Sequence, residues 1–559
     1  MPGRTTAPPA GPRRRASRPP VPPSRPDGPP PAGAPFPESL PAIEINPQFR
    51  RALDLMETTG KDLFITGKAG TGKSTLLEYF RATTGKRIAV LAPTGVAALN
   101  VRGQTIHSFC GFKPDITLDA VKKLPARKSV RAELVRNLEA VVIDEVSMVR
   151  ADLLDCVEKF LRLNGPHSRR RFGGIQMIFI GDLYQLPPVV VSAERELFTL
   201  HYETPFFFSA RVFAEASQAL EFVELEKIYR QSDPEFIRLL NAIRNASVTD
   251  EDLARLNANL DPGFVPPDDG FYVHLTSTND LAAERNRERL VRLPGPPQVY
   301  EGFLEGDFER SSLPTDERLE VKAGAQVMLL TNDPLGRWVN GTIGRILEIL
   351  KAPGEDDVIQ VELPDGRQVE IGPNIWEIFR FTFDGEARKI VSEPVGAFTQ
   401  YPLKLAWAIT IHKSQGKTFD RVVIDIGRGT FAHGQIYVAL SRCTSFQGIV
   451  LRKPIRRPHI RMDWRVVRFL TRFQYAKADA LLSYADKVRM IEEAIDEARD
   501  LEIVYLKPDD TKSRRRIRPE SIEMMEYGGR RFEGLQAYCY EREDMRHFRI
   551  ERILELKVR

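Results

Sequence analysis

The residues best suited to chemistry are a lysine and a hydroxyl that close GKAGTGKS at 67–74, between the apolar run DLFIT and the helical stretch KSTLLEYFRATTG. The spacing G-x-x-x-x-G-K-[ST] in a strand–turn–helix context builds a loop whose backbone N–H groups turn inward around phosphate oxygens. Gly67, Gly70, Thr71 and Gly72 would form the cradle and Lys73 would reach the β- and γ-phosphates of a nucleoside triphosphate. Ser74, followed by Thr75, offers a hydroxyl to Mg2+. Further on, AVVIDE (140–145) ends an apolar strand on two adjacent carboxylates. Asp144 is placed to hold the magnesium shell, and Glu145 to act as general base toward the attacking water. A third strand end, QMIFIGDLYQLPP, sets Gln185 where its amide can orient that water. Gln48, in NPQF ahead of the first strand, can read the adenine edge through a paired donor and acceptor. The cofactors these residues imply are ATP and Mg2+.

Such groups need a parallel sheet to present them. Strands DLFITG, RIAVLAPT, AVVIDE and QMIFIGD alternate with helical stretches, which predicts an α/β layer covered on both faces. A second α/β segment starts near 226, with FYVHLTST (271–278), and returns with RVVIDIG (421–427). Between its halves, roughly 336–400, short β-rich runs separated by PDG and DG turns predict a small antiparallel barrel or sandwich. A helical region near 463–500 precedes a final β-rich module ending at Arg559.

Composition narrows the class. A chain of 559 residues is too long for one core. No apolar run reaches about 18 residues, so no membrane span is expected. The four cysteines, Cys110, Cys156, Cys443 and Cys539, are far apart, which excludes a disulfide framework or zinc ribbon and fits a reducing cytoplasm. Residues 1–41 are rich in Pro, Ala and Arg and are expected to be disordered. They lack the apolar core of a secretory signal, and their proline density opposes the amphipathic helix of a mitochondrial transit peptide. The net charge of +5 is mild, but SRRR (168–171), RKPIRRPHIR (452–461) and KSRRR (512–516) are locally basic.

Taken in order, the motifs resemble the PIF (petite integration frequency) family of superfamily 1 DNA helicases, in its RecD-like group, over roughly 44–455. The resemblance is carried by GKAGTGKS, APTGVAALNVRGQTIHSF (92–109), IDEVSMV (143–149), GDLYQLPPV (181–189), LEKIYRQSDPEFIRLLNAIR (225–244), LTSTN (275–279), VNGTIG (339–344), AWAITIHKSQGKTFDRVVID (406–425) and QIYVALSRCTS (435–445). It implies an ATP-driven 5′→3′ motor that moves on single-stranded DNA and unwinds forked or tailed duplex in replication, recombination, repair or telomere maintenance. It also implies two RecA-like P-loop domains, at 42–225 and at 226–335 plus 400–458, with a small wedge insertion at about 110–138 and an SH3-like module at 336–399. Arg230 and Arg442 would approach the γ-phosphate from the second domain. Pro93, Thr94, His107, Thr276, Asn279, His412, Ser414 and Gln415 would contact DNA, and Phe109 and Trp407 are candidates to stack on bases. After a helical linker (459–496), residues 497–559 resemble a WYL domain through IRPESI, LQAYC and the run RHFRIERI. The W-Y-L tripeptide is replaced by Glu533-Gly534-Leu535. Arg531, Arg542, Arg546, Arg549 and Arg552 would give that module a basic face for nucleic acid or another anion. A WYL-like module suggests a bacterial source, and the protein is expected in the cytoplasm, acting as a monomer.

Three other readings fit parts of the sequence. One is a RecD-like subunit of a multi-protein nuclease, although the chain shows no nuclease-type acid cluster. Another is a translocase that strips proteins without unwinding. The third, from the WYL-like tail alone, is a ligand-sensing transcription regulator, which would require a DNA-reading winged helix and no ATPase.

Overall fold

The computed structural model describes residues 44–125, 129–190, 194–214, 220–351, 354, 356–427, 429, 432–507, 511–527 and 530–559. The tail expected over 1–41 lies outside them.

The first α/β layer is built on strands β1 (Asp62–Gly67), β2 (Ile88–Ala92), β3 (Gln104–Thr105), β4 (Ala140–Ile143), β5 (Gln176–Ile180) and β6 (Leu220–Leu225), in the spatial order β3–β2–β4–β5–β1–β6. All pair in parallel. Every residue of β1, β4 and β5 is buried, as a sheet covered on both faces requires. Helix α1 (Pro47–Thr58) starts at Asn46, whose side chain accepts from the Phe49 N–H, with proline in the first turn. It packs with helix α2 (Lys73–Thr83) on one face, where Phe49, Leu76 and Phe80 meet Leu63, Ile65 and Ile178. Phe64, Phe179 and Phe207 fill the other face.

The second layer is a four-stranded parallel sheet ordered Ala408–Thr410, Val273–Thr276, Val422–Asp425, Ile449–Leu451. The turn that follows strand Ala408–Thr410 meets the turn that follows β4, where Gln415 Nε2 lies 2.9 Å from Glu145 Oε2. The two layers are the pair of RecA-like domains that the motifs imply.

The small β module is a five-stranded antiparallel sheet, ordered Gln368–Ile371, Val358–Glu362, Ile343–Leu350, Gln326–Leu329, Leu403–Leu405. It therefore extends beyond the expected 336–399 at both ends. QVML and LKL are apolar runs with no turn signal of their own, so the sequence attaches them to the neighbouring α/β layer, whereas their burial belongs to this sheet's core. A long hairpin, Asn374–Asp384 with Lys389–Gln400, leaves the module and reaches the first domain. There the Phe381 N–H donates to Gln104 Oε1 at 3.4 Å, and helix Val130–Asn137 of the expected wedge lies against the hairpin.

The expected linker, 459–496, divides into two parts. Helix Trp464–Leu481 docks back on the first domain, with the Phe469 ring stacked 4.2 Å from Phe208 and Phe473 stacked 5.1 Å from Phe222. Helix Tyr484–Asp496 instead buries Ile491 and Ala494 in the core of the C-terminal module, against Leu501, Ile503, Ile517 and Leu535. That module is a five-stranded antiparallel sheet ordered Asp544–Arg549, Arg530–Cys539, Lys512–Tyr527, Leu501–Leu506, Ile553–Val558. Helical periodicity reports an apolar face but not which neighbour covers it.

Candidate nucleotide and nucleic-acid site

The glycine loop runs from the end of β1 into α2. Gly70 and Gly72 take φ of 82° and 84°, which a residue with a Cβ rarely adopts. At Gly70 there is also no room, because a Cβ would lie 2.6 Å from the Cβ of Arg230. The Lys73 ammonium is folded onto the loop, donating to Gly67 O at 2.7 Å and Lys68 O at 3.1 Å. Burial lowers its pKa, opposed by the carboxylates of Asp182, Glu145 and Asp144.

Asp144 and Glu145 follow β4, and Glu145 is itself left-handed with φ 49°. Burial raises the pKa of both carboxyl groups. The neighbouring Glu145 raises Asp144 further, while Lys73 and then Arg442 pull Glu145 back. Gln415, from the second domain, donates Nε2 to Glu145 Oε2 at 2.9 Å. Ser74 and Asp144 supply one hydroxyl and one carboxylate, hard oxygen donors that fit Mg2+, a cation that keeps waters and phosphate oxygens for its remaining positions.

Asp182, which the sequence reading missed, is fully buried just past β5. It accepts from Arg244 at 3.3 Å, from Gln185 Nε2 at 3.4 Å and from the Tyr437 hydroxyl at 3.4 Å. The Arg244 guanidinium also lies 3.8 Å from the Tyr184 ring centroid. A buried acid immediately after an apolar strand was a signal available in IFIGD.

The second domain touches the loop at several points. The Tyr437 hydroxyl accepts from the Ala69 N–H at 2.9 Å, and the Tyr229 N–H donates to Gly70 O at 2.8 Å. Arg442 is 1% exposed and donates to Val438 O and Ser441 Oγ, both at 2.9 Å. Burial, and then Arg230, push its pKa down to about 9. Arg230 donates to Ser441 O at 3.2 Å and Gly416 O at 3.4 Å, so both guanidiniums converge on Ser441 beside the loop. Gly434, with φ 72°, begins helix Gln435–Leu440 against the backbone of Tyr184 and Gln185.

At the opposite end of the loop, Gln48 donates Nε2 to Glu226 Oε2 at 3.4 Å, and Asn46 Nδ2 donates to the Tyr229 hydroxyl at 3.3 Å. Gly72 sits between Phe49 and Tyr229.

The residues expected to meet DNA divide. Thr94, His412 and Asn279 are exposed, and Pro93 and His107 are half-buried. Desolvation by the surrounding protein lowers the pKa of both histidines, which favours the neutral imidazole, a hydrogen-bonding group rather than a charge. Thr276 and Ser414 are corrections. Both are buried, with hydroxyls donated to backbone carbonyls: Thr276 to Thr278 O at 3.0 Å, and Ser414 to Ile411 O at 2.7 Å. Gln415 reaches the Glu145 carboxylate of the first domain instead. Phe109 and Trp407 are also corrections, because their rings are buried in the first domain's core and the small β module's core. Sequence reading overlooked Lys404, Lys413 and Lys417, which gather three ammonium groups at the joint of the second domain and the small module. Burial, and then a neighbouring lysine, push Lys404 and Lys417 down to about 8. Lys417 donates to Asn340 Oδ1 at 2.7 Å. The HKSQGK run carried two of these lysines in plain view.

Of the arginines expected to form a basic face on the C-terminal module, Arg531, Arg546 and Arg549 have carboxylates at 3.8, 3.2 and 3.5 Å in Glu526, Asp544 and Glu551, and Arg549 also lies over the Phe532 ring at 4.0 Å. Nearby, Arg516 and Arg518 share Asp500 at 2.8 and 2.9 Å.

Comparison with known proteins matches residues 47–253 to the PIF1-like helicase model, 405–445 to the UvrD-like helicase C-terminal domain and 486–558 to the WYL domain. The chain is 32% identical over 424 residues to the ATP-dependent DNA helicase Pif1 of Bdellovibrio bacteriovorus, covering 73% of this chain and 88% of that protein. It is 35% identical over 436 residues to the Homo sapiens ATP-dependent DNA helicase PIF1, covering 76% of this chain but only 64% of the human one, so it spans just under two thirds of that relative's length. Among solved structures, Bacteroides sp. Pif1 in complex with ADP-AlF4 superposes with a TM-score of 0.70 at 37% identity, over 77% of this chain and 97% of that one. Bacteroides Pif1 bound to ssDNA gives 0.55 at 37% identity, over 76% and 96%.

Proposed function

This chain belongs to the PIF1-like helicase family, and from that premise we propose that it is an ATP-dependent DNA helicase that moves 5′→3′ on single-stranded DNA and opens forked or tailed duplex. The observation that carries the reading is that the second domain closes on the nucleotide site of the first: Arg230 packs against Gly70, the Tyr437 hydroxyl accepts from the Ala69 N–H, and Arg442 lies close enough to Glu145 for each to shift the other's pKa. A nucleotide bound there has walls from both domains, so its arrival and loss change their separation.

In the proposed cycle, the loop N–H groups and Lys73 take the triphosphate, with Lys73 exchanging its two backbone carbonyls for phosphate oxygens. Ser74 and Asp144 would hold Mg2+, which when bound neutralises phosphate charge. Glu145 accepts a proton from the attacking water, and Gln185 orients that water. The planar guanidiniums of Arg230 and Arg442 stabilise charge developing on the transferred phosphoryl group. Gln48 reads the base as adenine. Thr94, His107, Asn279, His412 and the three lysines grip the strand backbone without reading bases, which makes binding sequence-neutral and salt-dependent.

The polarity rests on the family resemblance, since loop chemistry is common to motors of both directions. The setting proposed is the bacterial cytoplasm; among the described residues no helix is long and apolar enough to cross a membrane. The test is strand displacement with fluorescent duplexes bearing a 5′ or a 3′ single-stranded tail. ATP-dependent displacement from the 5′-tailed duplex alone is expected. Displacement from neither, with intact DNA-stimulated ATPase, would support the protein-stripping translocase instead.

A further inference from the structure

The C-terminal module touches the first domain at the base-reading end of the nucleotide site. Lys512 opens the strand Lys512–Tyr527 and places its ammonium 3.4 Å from Glu224 Oε2 and 3.2 Å from Glu226 Oε1. Glu224 lies on β6, the edge strand of the parallel sheet. The second oxygen of Glu226, Oε2, accepts from Gln48 Nε2 at 3.4 Å. A chain of polar contacts thus runs from the last module through one carboxylate to the amide assigned to adenine. Burial alone would depress the Lys512 ammonium, but Glu224 and Glu226 hold it above its usual range, so it stays charged.

The chemistry of the base gives this chain a purpose. A glutamine amide is an ambivalent reader, with a donor and an acceptor that exchange places when it flips. Adenine offers an acceptor at N7 and a donor at its exocyclic amine, whereas guanine offers acceptors at both N7 and O6. An amide whose nitrogen is committed to a carboxylate keeps one N–H and its oxygen, the pair that complements adenine. Flipped, the amide would turn its oxygen toward Glu226 and meet a carboxylate with a lone pair. We infer that Lys512 and Glu226 are positioning residues for nucleotide specificity: the C-terminal module holds Glu226, and Glu226 holds Gln48 in the orientation that prefers adenine to guanine nucleotides. This deepens the proposed function and rests on its assignment of Gln48.

The test is steady-state hydrolysis of ATP and of GTP by the full chain with saturating single-stranded DNA. Gln48→Ala tests the underlying assignment and should erase the preference for ATP. Lys512→Ala and Glu226→Gln test the inference; each should raise KM for ATP about two- to fivefold, the scale of a partly exposed pair, with kcat and KM for GTP unchanged. Glu226→Gln breaks the link without altering the module, which covers the case in which Lys512→Ala loosens it. The reversed pair, Glu226→Lys with Lys512→Glu, should turn the amide and shift preference toward GTP, an outcome that mere packing would not produce. If Gln48→Ala erases the preference while Lys512→Ala and Glu226→Gln leave both KM values alone, the inference is overturned and the assignment stands. If Gln48→Ala changes nothing, both are overturned.

Discussion

Gln415 of the second domain donates its amide to Glu145 of the first at 2.9 Å, so the proposed general base is held by a residue three positions beyond the exposed His412. A carboxylate accepting that bond is a weaker base than the same group without it. A strand bound at His412, as proposed above, would move the same turn and so couple DNA binding to release of the base. Gln415→Ala should therefore raise ATP turnover without DNA several-fold and reduce the ratio of DNA-stimulated to basal rate. A steady-state assay with and without oligonucleotide reads this, and an unchanged ratio would contradict the coupling.

The proposed grip of the lysine cluster on the strand predicts a DNA affinity that depends on pH. Lys404 and Lys417 are held down to about 8, while an unfolded lysine titrates near 10.4. Between those values the folded chain has shed protons that the unfolded chain keeps, so stability of the free protein rises with pH across that window. DNA affinity moves the opposite way, because the uncharged amines no longer attract phosphate. Fluorescence anisotropy should show weakening from pH 7 to pH 9.5. Lys404→Ala with Lys417→Ala should flatten that dependence and reduce the salt slope by about 0.7 for each phosphate that is no longer neutralised.

Gly434 of the second domain stands directly against the backbone of the first. Its φ of 72° costs a residue with a Cβ about 1–2 kcal/mol, and an added methyl would also overlap the Tyr184 carbonyl and lie 2.6 Å from Gln185 O. Gly434→Ala should hold the cleft open and lower kcat about tenfold or more while leaving single-stranded DNA binding intact. Wild-type turnover in that variant would show that the observed closeness is not needed for chemistry.

How much of this was legible in the sequence varied with how local the signal was. GKAGTGKS, the pair Asp144–Glu145 and the order of strands are set within a few residues, and the two-layer architecture follows from alternating apolar runs. What failed depended on long-range burial. A threonine at 276 and a serine at 414 look like phosphate ligands until the fold turns their hydroxyls onto Thr278 and Ile411 carbonyls. Phe109 and Trp407 look like stacking rings until they are found inside two different cores. The partners of Asp182 and Gln415 were invisible for the same reason, since each lies more than 60 residues away in sequence, although IFIGD did mark Asp182 as an acid at a buried strand end.

The central claim is that a guanidinium from one domain completes the hydrolytic site of the other. Single-turnover hydrolysis of ATP with single-stranded DNA, comparing the wild type with Arg442→Ala, tests it directly. The rate should fall by about 10³–10⁵, with ATP affinity within a few-fold of normal, because the arginine acts on the transition state. Hydrolysis at the wild-type rate in that variant would contradict a site shared between the two domains.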